Sequence, residues 1–73
     1  MYDYSKLKGR IVEKFGTIAE FSTHLSISKV SLSMKLNNKI EISRKDIMEW
    51  SKLLDIVPEE YGSFYFNQKL NEV

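Results

Sequence analysis

The sequence contains no cysteine and a single histidine among its 73 residues, and these shortages exclude several kinds of chemistry. No disulfide can form, no thiolate can act as a nucleophile, and no zinc site can be built on cysteine. A zinc site needs at least three ligands, so we expect His24 to be a surface or turn residue. The chain also lacks a glycine-rich phosphate loop and a nucleophile with a base at plausible spacing. We therefore expect neither an enzyme nor a cofactor.

Long apolar runs are also missing. No run approaches the roughly 20 residues that a membrane-spanning helix needs. The first ten residues, MYDYSKLKGR, lack the apolar core of a signal peptide. We therefore expect a soluble cytoplasmic protein with no role at a membrane. A chain of this length forms one small domain with a thin stability margin.

The net charge of +1 hides an uneven distribution along the chain. Residues 26–45 hold five basic side chains and one acidic side chain, whereas residues 46–62 hold one basic and five acidic side chains. The middle segment thus carries a net charge of +4 and the segment after it −4. Such asymmetry indicates an oriented polyanion or an acidic partner, although a solvated charged surface would explain the charge alone.

Helix-breaking residues are scarce, with one proline and three glycines, and apolar residues recur at helical spacing. This pattern predicts an all-α domain. The first helix is expected to start at the N-cap Asp3 and to run to Phe15. Leu7 and Ile11 share a face with Phe15, and Gly16 ends the helix because it adopts the left-handed conformation without steric cost.

A capping box marks the second helix. Thr17 and Glu20 stand three residues apart, so each side chain can accept the other's free backbone N–H. The helix then starts at Ile18, and Ile18, Phe21 and Leu25 form its buried stripe.

A short turn follows the second helix. Ser26 lies at the break, Ile27 is expected to pack into the core, and Ser28 caps a third helix. The segment KVSLSMKL alternates apolar and polar residues, which taken alone is typical of a strand. Two stripes at helical spacing also exist, and only one can face inward. They pair Val30 with Met34 and Leu32 with Leu36.

Two further elements complete the prediction. Ser43, with Asp46 three residues later, begins a fourth helix after a polar turn at residues 37–39 in which asparagine tolerates positive φ. Pro58 begins a short fifth turn that Gly62 ends. Phe64 and Phe66 either fold back onto the core or form a small strand. The apolar stripe of the fourth helix comprises Ile47, Trp50, Leu53 and Leu54.

Residues 17–39, with a helix on either side, resemble the helix-turn-helix domain of the lambda-repressor type (Cro/C1, XRE-like). The stretches YDYSKLKGRIVEKFGT and LSMKLNNK resemble short phage regulators found beside lysogeny repressors, over roughly residues 2–57. This resemblance implies a compact all-α domain of four to five helices spanning 1–73, with its core at 3–57 and a fifth turn and tail at 58–73. Ser26 stands in place of the usual turn glycine, and Lys35 stands where the family has an apolar core residue.

The resemblance implies a transcriptional regulator of a phage lysis/lysogeny switch, in the cytoplasm of the bacterial host. Its third helix would bind double-stranded operator DNA, since lysine and serine can contact base edges and the basic residues that follow can contact phosphates. The expected nucleic-acid or partner contacts are Ser28, Lys29, Val30, Ser31, Ser33, Met34, Lys35, Asn37, Lys39, Arg44 and Lys45.

Val30 and Met34 fit a purely polar DNA-binding face poorly. They would contact thymine methyls, form an adhesive patch for another protein, or be buried if the third helix is rotated. The alternative function is therefore an antirepressor that binds the helix-turn-helix domain of a phage repressor through the same face, with the acidic segment imitating DNA. Aromatic residues at both ends of the chain would either close the core or join two copies in a homodimer.

Overall fold

The computed structural model describes residues 1–68, which form five α-helices and one short 3₁₀ turn. Within these residues the only strand-like pairing is an isolated antiparallel bridge between Tyr2 and Gln68. The predicted all-α architecture of four to five helices is confirmed. No helix in this part of the chain has the length and apolarity that crossing a membrane requires. The helices are α1 (Ser5–Phe15), α2 (Ile18–Leu25), α3 (Lys29–Leu36), α4 (Arg44–Leu54) and α5 (Tyr61–Tyr65), and the 3₁₀ turn is Pro58–Glu60.

Hydroxyl caps begin the three central helices, as the sequence predicts. Each cap oxygen accepts the backbone N–H three residues later at 3.0 or 3.1 Å, which satisfies one of the free donors at a helix start. Among these three helices, α4 also has the reciprocal bond, from the N–H of its cap to the carboxylate three residues on. Helix α2 has only half of the predicted capping box, since the Glu20 side chain does not accept the Thr17 N–H. The pairs are Thr17 with Glu20, Ser28 with Ser31, and Ser43 with Asp46.

Residues with positive φ follow four of the helices. Gly16 ends α1 with φ 86°, as predicted, and Asn38 has φ 62° in the turn after α3. Asp55 ends α4 with φ 54°, a conformation that short polar side chains tolerate. Ser26 ends α2 with φ 57°, so serine does occupy the left-handed position that glycine would fill more easily.

Both ends of the chain differ from the prediction. Helix α1 begins at Ser5, one residue later than predicted, with Tyr4 buried at the cap position. The Asp3 carboxylate still accepts the Ser5 N–H at 2.9 Å, as an N-cap side chain does. Gly62 does not end the last turn. Helix α5 continues through it to Tyr65, since this extension buries aromatic side chains against the core.

The aromatic tail therefore closes the core with Phe64, whereas Phe66 is half-exposed and the predicted strand is reduced to the bridge at residue 68. Leu53 of α4 also departs from its predicted stripe and is 37 % exposed. Residues 69–73 of the predicted tail lie outside the described part of the chain.

The core draws side chains from all five helices. Trp50 is among its largest fully buried side chains and meets the Phe21 ring edge-on, with 5.8 Å between ring centroids. Ile18 and Ile27 pack half-buried at its margin, and Ile27 occupies the turn between α2 and α3 as predicted. The side chains with almost no exposure are Leu7, Ile11, Phe21, Leu32, Trp50, Leu54, Phe64 and Tyr65.

Candidate functional site

The rotation of α3 is fixed by its two leucines. Leu32 and Leu36 are buried in the core, so the stripe that pairs Val30 with Met34 faces outward. Val30 is 68 % exposed and Met34 is 39 % exposed. The alternative in which these two residues are buried is therefore wrong. We call the outward side of this helix, carrying Lys29, Val30 and Met34, the α3 face.

Lys35 is used inside the domain. Its ammonium lies 2.6 Å from Oδ2 of Asp46, and both side chains are largely buried, at 19 % and 15 % exposure. Partial burial alone would raise the pKa of Asp46, but the hydrogen bonds from Lys35 and Ser43 outweigh it and hold the pKa below its ordinary value of 3.8. The pair ties α3 to the start of α4, so Lys35 is not free to contact a partner as predicted, and Leu36 takes the core position one residue later.

The other polar residues predicted at the site have hydrogen-bond partners within their own segment. The Ser28 hydroxyl donates to the Ser31 hydroxyl at 3.0 Å. The Asn37 amide donates to the Ser33 carbonyl oxygen at 2.8 Å and to its hydroxyl at 3.2 Å. These hydrogen bonds lie at the N-terminal and C-terminal ends of α3, so the four side chains help to terminate the helix.

Six basic side chains form no hydrogen bond, ion pair or ring contact within residues 1–68, and four of them belong to the predicted site. Lys29 lies on α3, Lys39 lies in the turn after it, and Arg44 and Lys45 lie in the first turn of α4. Arg44 and Lys45 border an open groove beside Met48. With Lys35 neutralised, residues 26–45 present four free cations and the exposed Glu41.

The turn after α3 contains a contact that the sequence did not indicate. Asn38 accepts the Tyr2 backbone N–H at 3.0 Å and donates to the Tyr2 carbonyl oxygen at 2.9 Å, across 36 residues. The Tyr2 ring also lies 6.0 Å from both Tyr4 and Phe66. The two ends of the described part of the chain, residues 1–68, thus meet each other next to the turn that follows α3.

Part of the negative charge of the acidic segment, residues 46–62, is neutralised by ion pairs within the domain. Asp46 is paired with Lys35, and the exposed Asp55 carboxylate lies 2.7 Å from the Lys14 ammonium. His24 is exposed, as predicted, with its Nδ1 atom 3.0 Å from the Glu20 carbonyl oxygen. Among the described residues, no group of three or more histidine or carboxylate side chains is placed to hold a metal ion.

Comparisons with known proteins agree with this helical architecture. A family model described as "Protein of unknown function (DUF739)" matches residues 1–68. Among solved structures, the chain is similar to the solution structure of the modulator of repression (MOR) of the temperate bacteriophage TP901-1 from Lactococcus lactis. The identity is 34 %, the TM-score is 0.82, and the alignment covers 96 % of this chain and 95 % of that one. No protein with a curated description matches.

Proposed function

Because the chain belongs to the DUF739 family and shares its fold and 34 % of its sequence with a phage modulator of repression, we propose that it regulates a phage switch by binding a repressor protein. The proposed partner is the repressor encoded in the same phage genome. The proposed contact is the α3 face, which would bind the helix-turn-helix domain of that repressor and so compete with operator DNA. This is the antirepressor alternative of the two functions expected from the sequence.

The exposure of Val30 is the observation that carries the choice of surface. A β-branched side chain that is 68 % exposed contributes nothing to the core, and Met34 follows it one turn later on the same side of α3. Methionine adapts to partners of varied shape, and apolar side chains at the centre of a surface are typical of protein interfaces. Lys29 beside them supplies one charge at the rim.

The same helix supports DNA binding less well. Lys35 forms an ion pair with Asp46, and the hydroxyls of Ser31 and Ser33 form hydrogen bonds to neighbouring side chains at the ends of α3. Few free polar groups of α3 therefore remain to contact base edges. The acidic segment is also a weak imitation of DNA, since two of its five carboxylates are held by lysines.

Operator binding remains the second candidate because Lys29, Lys39, Arg44 and Lys45 are free to neutralise phosphates. Such binding would be weak and steeply salt-dependent, since each phosphate contact adds about one unit to the salt slope.

Titration of the purified repressor with this protein, followed by size exclusion and calorimetry, tests the proposal. We expect a stoichiometric complex that Val30→Asp and Met34→Asp each weaken at least tenfold. Val12→Asp is the matched control, because Val12 is 51 % exposed on α1 and should leave affinity within twofold. Equal effects of Val12→Asp and Val30→Asp would rule out the α3 face as the contact.

A further inference from the structure

A second surface, the α4–α5 groove, lies between α4 and the segment that leads into α5. It is open to solvent, has a volume of about 860 Å³, and receives no residue of α3. Its apolar wall is formed by Met48, Ile56 and Tyr61. Met48 is 60 % exposed, and the Tyr61 ring is held edge-on against Tyr65, with 5.9 Å between centroids. The groove is therefore an open apolar depression with the exposed Met48 side chain at its edge.

The rim of this groove is basic. Arg44, Lys45 and Lys52 line it, and Glu49 is the one carboxylate among its lining residues. None of these three cations has a hydrogen-bond or ion-pair partner anywhere in residues 1–68. They thus account for half of the six basic side chains in that range that are left without one.

Most other cations of the described chain are already engaged. Lys6 and Arg10 lie over the Phe64 ring, Lys14 pairs with Asp55, and Lys35 pairs with Asp46. Within residues 1–68, unpaired cations are therefore concentrated at the groove, which holds three of the six.

We propose that the α4–α5 groove binds an acidic peptide segment of a partner protein. A large apolar side chain of that segment inserts between Met48 and Tyr61, and flanking carboxylates pair with the basic rim. Arg44 offers the two-pronged geometry that carboxylates accept best, while Lys45 and Lys52 act as point charges. In protein interfaces, a buried apolar side chain at the centre supplies most of the affinity. Complementary charges around it contribute mainly to specificity.

A second copy of this chain is a poor occupant of the groove. A two-fold contact centred on Met48 with antiparallel α4 helices brings Arg44 of one copy opposite Lys52 of the other, since each lies four residues from Met48. Like charges facing each other in a contact destabilise it. The groove therefore requires a partner whose charge is opposite to its own.

Binding of nucleic acid would account for the basic rim of the α4–α5 groove but not for its apolar wall. Phosphates would pair with the cations, yet they would gain nothing from Met48, whose side chain is among the most exposed apolar groups described. The two occupants thus differ in one measurable respect, which is the dependence of binding on Met48.

The experiment is a titration of the full chain, labelled with nitrogen-15, with a ten-residue model peptide in which pairs of glutamates alternate with leucine or phenylalanine. Two comparison peptides replace all glutamates with lysine or all apolar residues with serine. We expect amide shifts at residues 44–61 with the acidic apolar peptide, and binding at least tenfold weaker for both comparison peptides. Met48→Ser and Lys52→Glu should each weaken binding at least fivefold.

Val12→Ser and Lys8→Glu serve as matched controls, because both side chains are exposed on α1, and they should leave binding within twofold. Three results would overturn the proposal: no shifts in low-salt buffer, shifts centred on α3, or equal binding of the lysine peptide. Binding of a short DNA duplex that Lys52→Glu abolishes and Met48→Ser leaves unchanged would also overturn it, in favour of a nucleic-acid site. The repressor is absent from this experiment, so its outcome is independent of repressor binding.

Discussion

The Asp46 carboxylate has two structural roles in the fold. Its Oδ2 atom accepts the Lys35 ammonium at 2.6 Å and the Ser43 backbone N–H at 3.0 Å, so it caps α4 and ties α3 to it. Because the folded protein holds the pKa of Asp46 below its ordinary value, this carboxylate stabilises the fold above that value. The contribution is lost as the pH falls through the lowered pKa.

Asp46→Asn should lower the free energy of unfolding at pH 7 by about 1–3 kcal/mol, because it leaves the Lys35 charge partly buried without a partner. Urea unfolding measures the loss. The difference between the two proteins should shrink below pH 4, where the wild-type carboxylate also becomes protonated. The control is Asp55→Asn, which removes an exposed ion pair and keeps a residue that tolerates positive φ. It should destabilise the protein less than Asp46→Asn does, because solvent screens an exposed pair. Equal losses for the two variants, or a loss that does not change with pH, would contradict this account of Asp46.

Substitution by glycine should change the free energy of unfolding in opposite directions at two residues with left-handed backbone conformation, Ser26 and Asn38. Ser26→Gly should raise the free energy of unfolding by about 0.5–1 kcal/mol, because glycine adopts φ 57° without strain and the serine hydroxyl has no hydrogen bond to lose. Asn38→Gly relieves the backbone equally but removes both bonds to Tyr2, so it should destabilise the protein. Thermal unfolding compares them. Stabilisation by both substitutions would mean that the Asn38 contact contributes nothing.

At the scale of elements, the helix starts are the part that local sequence determines best. Caps at Thr17, Ser28 and Ser43 act over three residues, so their residue types alone predict α2, α3 and α4. The end at Gly16 follows from the same local chemistry. These predictions are confirmed because no distant contact competes with them.

Elements that depend on tertiary contacts were predicted less well. Two apolar stripes on α3 are equivalent in sequence, and only packing selects Leu32 and Leu36 for the core. Helix α5 continues through Gly62 because burial of Phe64 and Tyr65 outweighs the low helix propensity of glycine. Among the residues predicted at the site, the ion pair of Lys35 with Asp46 has no local signal in the sequence, because its partners lie eleven residues apart.

A buried hydrogen bond between two hydroxyl groups connects α5 to α4. The Tyr65 and Ser51 oxygens lie 2.9 Å apart, and burial raises the pKa of Tyr65 to about 12. Tyr65→Phe leaves the Ser51 hydroxyl without its partner, so it should cost about 1–3 kcal/mol in urea unfolding. Adding Ser51→Ala should recover part of that loss, which a double-mutant cycle measures.

The raised pKa of Tyr65 has a consequence at alkaline pH. Stability from this group is complete below the ordinary value of 10.0 and is lost as the pH rises towards about 12. Wild type should therefore lose more stability than Tyr65→Phe between pH 9 and 11. Parallel losses in the two proteins would show that Tyr65 does not contribute to the alkaline transition.

At the scale of the whole molecule, the described chain carries two separate surfaces on one small core. The α3 face presents Val30 and Met34 beside one free lysine, and the α4–α5 groove presents an apolar wall with a basic rim. Clustered apolar residues exposed on the surface of a small domain are typical of sites that bind another molecule. The two surfaces of the described residues therefore support the proposed contact with a protein more than the reading of a base sequence.

The most direct measurement of the central claim is the fluorescence anisotropy of a labelled operator duplex that is already bound by the phage repressor. Added protein should lower the anisotropy to that of free DNA near one equivalent per repressor subunit, because both ligands compete for the same helix-turn-helix domain. Val30→Asp and Met34→Asp should abolish this release, whereas Val12→Asp should retain it. An anisotropy that rises or stays constant as wild-type protein is added would contradict the account.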